Sequence, residues 1–327
     1  MFTKTLSELN KNDVAIAGGK GASLSEMTVA GIPVPPGFVL LAEAFERFLE
    51  GTDLNVEIDA ILHTVNHREM HTVENASERA QALILGAEMP KDLASEIKKE
   101  FKKPGATHVA VRSSATAEDS ASAAWAGQLD SFLNTTKKDL LKNVQRCWAS
   151  LFTPRAIFYR HEKGLHKQKI GVAVVVQKMV ESEVSGIAFS VHPVTEDRNQ
   201  MIIEAGWGLG EAIVSGQITP DSYVVEKKPH RILDKNISEQ NYSLIRTNKR
   251  IDGGGGKSIS ACSGNMRVEL SKEEGSRQKL SDAQILEISK LILKIETHYG
   301  FPCDIEWALA EGKFFILQSR PITTLKR

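Results

Sequence analysis

Residues 170–180, IGVAVVVQKMV, constrain the fold more than any other stretch of the sequence. A run so rich in β-branched side chains has no polar face to offer water, so it predicts a central strand of a sheet. The run closes on Gln177, Lys178, Met179 and Val180, a polar pair flanked by apolar residues. Backbone donors and acceptors beside apolar side chains are what the edge of an adenine ring needs.

Residues 108–133, HVAVRSSATAEDSASAAWAGQLDSFL, read as strand, loop and strand. Val109, Ala110 and Val111 predict a short buried strand that stops at Arg112, ahead of a run of Ser, Ala and Thr. Arg holds its charge at any working pH and presents a planar fork of donors to phosphate oxygens, while hydroxyls and backbone N–H groups can line the same surface. Gly127 permits a close backbone approach or a turn, and Leu129, Ser131 and Leu133 alternate as a returning strand. On these residues alone a plain surface connection stays open as the other reading. Upstream, Gly18, Gly19, Lys20 and Gly21 open a helix predicted over 22–30, stopped by Gly31 and Pro33. Glycines there expose helix N–H groups, and Lys20 would suit a phosphate; a solvated helix-start lysine is the alternative. Lys20 is followed by Gly21, so the Walker pattern is absent.

The 327 residues, 41% apolar and 25% charged, fit a soluble globular protein of one large two-lobed domain or two domains. Lys and Arg number 41, as do Asp and Glu, so no net field exists to hold nucleic acid or an anionic membrane. Three scattered cysteines form neither a metal spacing nor a disulfide framework, and no apolar run is of membrane-spanning length. The expectation is a soluble cytoplasmic protein. His63, His67 and His71 recur every fourth residue, which would align them on one helical face, but nothing completes a metal site and no chemistry is assigned to them.

Further along, Val144, Cys147, Trp148, Leu151 and Phe152 fall at helical spacing and read as core. A strand at 201–205 runs into Gly206, Trp207, Gly208, Leu209, Gly210 and Glu211; the glycines miss the dinucleotide spacing but allow close backbone passage, with Glu211 placed to accept from sugar hydroxyls. Residues 221–226 predict a strand, whereas 227–267 read as a polar, poorly periodic region in which the Gly253 to Ser258 run is a flexible loop. Residues 281–299 predict the clearest helix, capped by Ser281 and ended by Gly300. The last thirty residues predict a hairpin that turns at Glu311 and Gly312. It would bring Asp304, Glu306, Gln318 and Arg320 into one space, a set suited to Mg2+ beside a polyphosphate; a solvated face with an ion pair is the other reading.

Taken in order, GGKGASL, VRSSATAED with WAGQ, QKMV, GWGLGEAIVSG with PDSYVV, and DIEWAL with LQSRPITT resemble the ATP-binding region of the family of phosphoenolpyruvate synthase, pyruvate phosphate dikinase and the rifampicin phosphotransferases. The resemblance covers nearly the whole chain. It implies an α+β, ATP-grasp-like fold whose two lobes, 1–178 and 179–327, clasp ATP and Mg2+ in a cleft between them. Carried over, Lys20 and Arg112 meet the phosphates, Gly127 lies in a capping loop, and Gln177, Lys178, Met179 and Val180 flank adenine. Glu211 meets the ribose, Glu306 and Gln318 with Asp304 the metal, and Arg320 the polyphosphate. The implied reaction is dikinase-type: ATP gives AMP and phosphate while a histidine on a separate swivelling domain is phosphorylated, in cis or in trans. None of the nine histidines lies in that domain's Gly/Thr-rich motif, which leads one to expect a truncated or split protein, or a stand-alone module. His192 stands before Pro193 where many synthases carry an aspartate, and the final acceptor, whether pyruvate, water, phosphate or a drug, is left open. An ADP-forming ligase of the same fold and a non-catalytic ATP-binding regulator remain as alternatives.

Overall fold

The structure is a computed structural model that describes residues 1–116, 130–164, 171–246, 264–323 and 325, and in it the chain divides into two units. Gly127 and the Gly253 to Ser258 run lie outside the described residues. The first unit is Met1–Val29 with Pro36–Met179. Its elements are β1 (Thr3–Thr5), α1 (Val14–Val29), β2 (Gly37–Leu40), α2 (Ala42–Gly51), α3 (Leu54–His63), α4 (Met70–Gly86), α5 (Lys91–Lys102), β3 (Val109–Ala115), β4 (Ser131–Thr135), α6 (Leu140–Ala149), α7 (Pro154–Glu162) and β5 (Val172–Lys178).

Five antiparallel strands form one sheet in the order β1-β2-β5-β3-β4, with β5 in the middle. Its composition requires that place. Val172, Val174 and Val176 face a core built with α2 to α7, in which Trp148 packs between Phe45 and Phe48 at ring separations of 5.4 and 5.0 Å. Ala173 and Val175 face the other way and are equally buried, because α1 lies over that side; a side chain at Gly21 would press on Val39 of β2. β3 runs past Arg112 to Ala115, longer than the sequence predicts. Two serines prolong it, since both hydroxyls find internal partners: Ser113 donates to the Asp130 carbonyl and Ser114 to that of Ala17. The histidine spacing does not survive. α3 ends at His63, His67 lies in the connection and α4 starts at Met70; the His67 ring stacks instead on that of His161, 3.5 Å between centroids.

The second unit is Ala30–Pro35 with Val180–Arg327. Here the elements are β6 (Val184–Phe189), β7 (Gln200–Trp207), α8 (Glu211–Val214), β8 (Asp221–Glu226), β9 (Arg231–Asn236), β10 (Tyr242–Arg246), β11 (Asn265–Glu269), α9 (Lys272–Gly275), α10 (Asp282–Tyr299), β12 (Cys303–Ala310) and β13 (Lys313–Pro321). Six antiparallel strands follow the order β13-β12-β6-β7-β8-β9, and β10 pairs with β11 as a separate ribbon. The chain is therefore of mixed α+β class. α10 starts and stops where its caps dictate: Ser281 and Gln284 form a capping box, and Gly300 takes the left-handed conformation at φ 75°. Its stripe, Ile285, Ile288, Ile292 and Ile295, buries against the sheet face that carries Met201, Ile203, Tyr223, Val225 and Ile305. Within 227–267, read from the sequence as polar and poorly periodic, the described residues form β9, β10 and the start of β11. Among the described residues no helix is long and apolar enough to cross a membrane.

A buried ion pair ties the start of β8 to the turn before α10. Lys279 Nζ lies 2.9 Å from Asp221 Oδ1, and both side chains are wholly buried. The carboxylate also accepts from the Ser238 and Lys279 backbone N–H groups and from the Tyr223 hydroxyl at 2.7 Å. Burial, reinforced by that carboxylate, holds the Tyr223 phenol well above its ordinary range. Lys279→Met leaves the Asp221 charge buried without its counter-ion, and the expected loss is about 3–5 kcal/mol, read as a lower urea midpoint at unchanged m-value.

Candidate functional site

In the first unit the register of β3 against β5 pairs Ala110 with Gln177, Arg112 with Val175 and Ser114 with Ala173. Residues opposed in an antiparallel pair project from the same face, and alternate residues along a strand share it. Arg112, Ser114 and Gln177 therefore stand on one face, the one covered by α1. The Ser114 hydroxyl accepts from the Gly21 N–H at 3.1 Å and donates to the Ala17 carbonyl at 2.9 Å, which locks the turn bearing Lys20 to that face. Gly18 makes the approach possible. It sits at φ 69°, and a Cβ there would collide with the Ser114 carbonyl oxygen. The structure thus brings together Lys20, Arg112 and Gln177, residues 157 positions apart at the extremes of the set.

Gln177 is buried, whereas Lys178 is exposed at the end of β5. The N–H of Lys178 donates to the Pro36 carbonyl at 2.9 Å and that of Met179 to the His108 carbonyl at 3.2 Å. Both donors are thus engaged inside the first unit. Below the opposite face Cys147 is fully buried, and burial pushes its thiol up to about 12; Cys303 in the second unit is raised to about 12 for the same reason. Neither is a thiolate nucleophile at neutral pH.

In the second unit the expected hairpin forms, and a bulge shifts its register by one residue so that the four polar side chains share a face. Asp304 opposes Arg320 and Glu306 opposes Gln318, with Leu317 bulged out so that Trp307 meets Ile316. Asp304 Oδ2 accepts from Arg320 Nε at 2.9 Å and Nη2 at 2.7 Å, which fixes the guanidinium plane. The side chains of Glu306 and Gln318 have no hydrogen-bond partner among the described residues, so a carboxylate and an amide oxygen stand side by side and open. The rows continue across the sheet: Glu306 opposes Ile187 of β6, which opposes Glu204 of β7. Glu204 is a third carboxylate on this face, and sequence reasoning missed it. A single acid in the apolar run MIIEA was the available signal, since alternation sets it opposite to Ile203 and Ala205. Burial raises its carboxyl above the ordinary glutamate value, and the charge of Asp304 adds to the shift.

On the same face Ser185 donates to the Gly208 carbonyl at 2.6 Å, holding the glycine loop that leads into Glu211. Gly208, at φ 85°, lets the loop pass against Leu244 of β10, and a Cβ there would meet the Leu244 carbonyl oxygen. Glu211 accepts from the side-chain amide of Asn265, a second residue the sequence did not reveal. His192 caps the turn that follows β6: its Nδ1 accepts from the Val194 and Thr195 N–H groups, each at 3.3 Å. A carboxylate there would accept the same two donors.

Among the described residues no three His, Cys, Asp or Glu side chains converge as a closed metal cage. The open pair Glu306 and Gln318 nonetheless fits Mg2+, which takes one or two hard protein oxygens and shares its remaining positions with phosphates and water.

Residues 14–327 match the family described as "Pyruvate phosphate dikinase, AMP/ATP-binding domain". The chain is 44% identical to a probable phosphoenolpyruvate synthase of Methanocaldococcus jannaschii, with all of this chain and 27% of that protein aligned. It is 41% identical to a phosphoenolpyruvate synthase of Pyrococcus furiosus over 99% of this chain and 44% of the relative, and 36% identical to a rifampicin phosphotransferase of Bacillus subtilis over 98% and 36%. The chain spans less than half the length of each.

Glu204 supplies a test of this arrangement. Its carboxyl is expected to titrate above an ordinary glutamate in a carbon-13 NMR titration, and Asp304→Asn, which removes a like charge, is expected to bring it down. A Glu204 value indifferent to that substitution would contradict the shared face.

Proposed function

Because the chain belongs to the pyruvate phosphate dikinase AMP/ATP-binding domain family, we propose that it binds ATP with Mg2+ and supplies the nucleotide half of a dikinase-type phosphotransfer. The observation that carries this reading is the open Glu306 and Gln318 pair set beside an arginine that Asp304 holds in plane. Support comes also from the Lys20 turn and Arg112, two cations on one sheet face. An ATP-grasp-like fold is part of this proposal.

Each side chain then has a role that its placement allows. Lys20 and Arg112 offset phosphate charge, one as a point cation and the other as a planar fork. Gln177 and the residues after it take the adenine side; since the N–H groups of Lys178 and Met179 are engaged, a donor to the base comes from Val180 or a side chain. Glu211 accepts from the ribose hydroxyls. Glu306 and Gln318 hold the metal, which when bound neutralises charge on the transferring phosphoryl group. Asp304 acts through Arg320, because one of its oxygens already takes two guanidinium donors. Gly127 belongs to the segment proposed to cap the phosphates.

Catalysis on this reading is electrostatic: fixed cations stabilise charge as it spreads over the phosphoryl oxygens. A histidine of a swivelling domain, in cis or in trans, displaces AMP at the β-phosphorus, AMP keeping the α–β bridging oxygen; water then takes the γ-phosphoryl group away as phosphate, and the β-phosphoryl group stays on the histidine. The whole reaction is that of a pyruvate, water dikinase such as phosphoenolpyruvate synthase, carried out in the cytoplasm. The last acceptor is chosen outside the region that matches here.

Calorimetry with Mg·ATP tests the assignment. Arg112→Ala is expected to weaken binding by roughly 10- to 100-fold, the worth of one or two charge-assisted hydrogen bonds. Gln318→Ala and Glu306→Gln are expected to remove most of the Mg2+ dependence of ATP affinity. With a phosphohistidine domain supplied, AMP is the expected product; ADP would indicate a ligase, and binding without turnover a regulator.

A further inference from the structure

The ribbon β10–β11 was not legible in the sequence, and it touches three neighbouring segments of the second unit. Leu244 of β10 lies against the glycine loop, its carbonyl accepting from the Leu209 N–H at 2.8 Å. Arg246 at the end of β10 pairs with Glu181, next to Val180. Directly opposite Arg246 stands Asn265, the first residue of β11, whose side-chain Nδ2 donates to Glu211 Oε2.

Asn265 is only 4% exposed. A buried amide keeps its place because its own donors and acceptor must be satisfied, and the strand beneath it is paired to Arg246. Glu211 is the opposite kind of group. It opens a helix of only four residues, is half-buried, and has a long side chain that is mobile unless something holds it. Its Oε2 is taken by Asn265, while Oε1 has no partner among the described residues. One oxygen is anchored and one acceptor is presented.

We propose that Asn265 is a positioning residue that aims the Glu211 carboxylate at the sugar hydroxyls of the nucleotide, so that the site selects ribose over deoxyribose. The inference rests on the assignment of Glu211 to the ribose. A site built to hydrogen-bond a substrate hydroxyl rejects the analogue lacking it, because its own polar group is then left unpaired; that penalty requires the acceptor to be fixed. An unanchored Glu211 would turn to water and accept either sugar.

Calorimetric affinities of the Mg2+ complexes of ATP, 2′-deoxyATP and 3′-deoxyATP decide the matter. The intact chain is expected to bind ATP at least about tenfold more tightly than one or both deoxy analogues, the worth of one charge-assisted hydrogen bond. Asn265→Ala is expected to reduce that ratio to about threefold or less by weakening ATP while leaving the deoxy analogue unchanged. Asn265→Asp, nearly the same shape, sets a carboxylate against a carboxylate and is expected to lose the ratio as well; it serves if the alanine variant does not fold. Equal weakening of all three nucleotides, or an unchanged ratio, overturns the proposal and leaves Asn265 a packing residue. Glu211→Gln separates the two layers. If the intact chain shows no preference, or Glu211→Gln keeps it, the assignment of Glu211 falls and this inference with it; if Glu211→Gln loses the preference and both Asn265 variants keep it, only the role of Asn265 falls.

Discussion

The Ser114 hydroxyl is the joint on which the placement of the first unit's cations depends. It accepts from Gly21 and donates to Ala17, so the backbone of the glycine turn is fastened to a strand more than ninety residues away. A lysine near a helix start would otherwise wander with its long stem. Here the turn that carries it is fixed relative to Arg112, two residues before Ser114 on the same face. Gly18 is the matching constraint: neither its left-handed φ nor its contact with the Ser114 carbonyl tolerates a side chain. The glycines ahead of Lys20 are thus explained by the backbone's approach to the sheet, before any ligand is considered.

How much of this could be seen in advance depends on where side-chain pattern controls structure. The run at 170–180 announced a central strand, because only a strand covered on both sides can be that apolar, and its two buried faces answer it. The helix at 281–299 and the closing hairpin were equally legible, since caps and turn residues mark their ends and alternation marks their faces. The turn alone would set Glu306 against Leu317 and Asp304 against Ser319; a bulge at Leu317, which the sequence did not announce, is what opposes Asp304 to Arg320 and Glu306 to Gln318. β3 was cut short at Arg112 because serine and alanine carry weak strand preference; what extends the strand is the partners of Ser113 and Ser114, and those are tertiary.

The outer strands β9 to β11 failed to show for the opposite reason. β9 is exposed along almost its whole length, so its residues alternate with nothing to bury. β10 buries only its first three residues, and its partner comes after a gap of eighteen positions. The spacing of His63, His67 and His71 misled in a complementary way: a period of four describes a helix only where a helix persists, and this one ends at the first of the three. Glu204 and Asn265 were hidden because each is a single polar residue whose meaning comes from the strand beside it.

That last point bears on how the second unit divides its labour. Its hairpin carries groups that would act on phosphate and metal, and these could be found from sequence because the strands are adjacent in the chain and joined by one short turn, although a bulge at Leu317 completes their register. On the proposed reading the sugar side is assembled from the glycine loop and the ribbon, which meet at Leu244 and Asn265. Charge recognition is tolerant of small displacements, since a cation or a metal acts over several ångströms. A hydrogen bond to a hydroxyl is not, because it weakens steeply once distance or angle departs from the optimum. A buried amide on a paired strand is therefore put to better use behind Glu211 than behind Glu306, whose ligand would pull the side chain into place by charge alone.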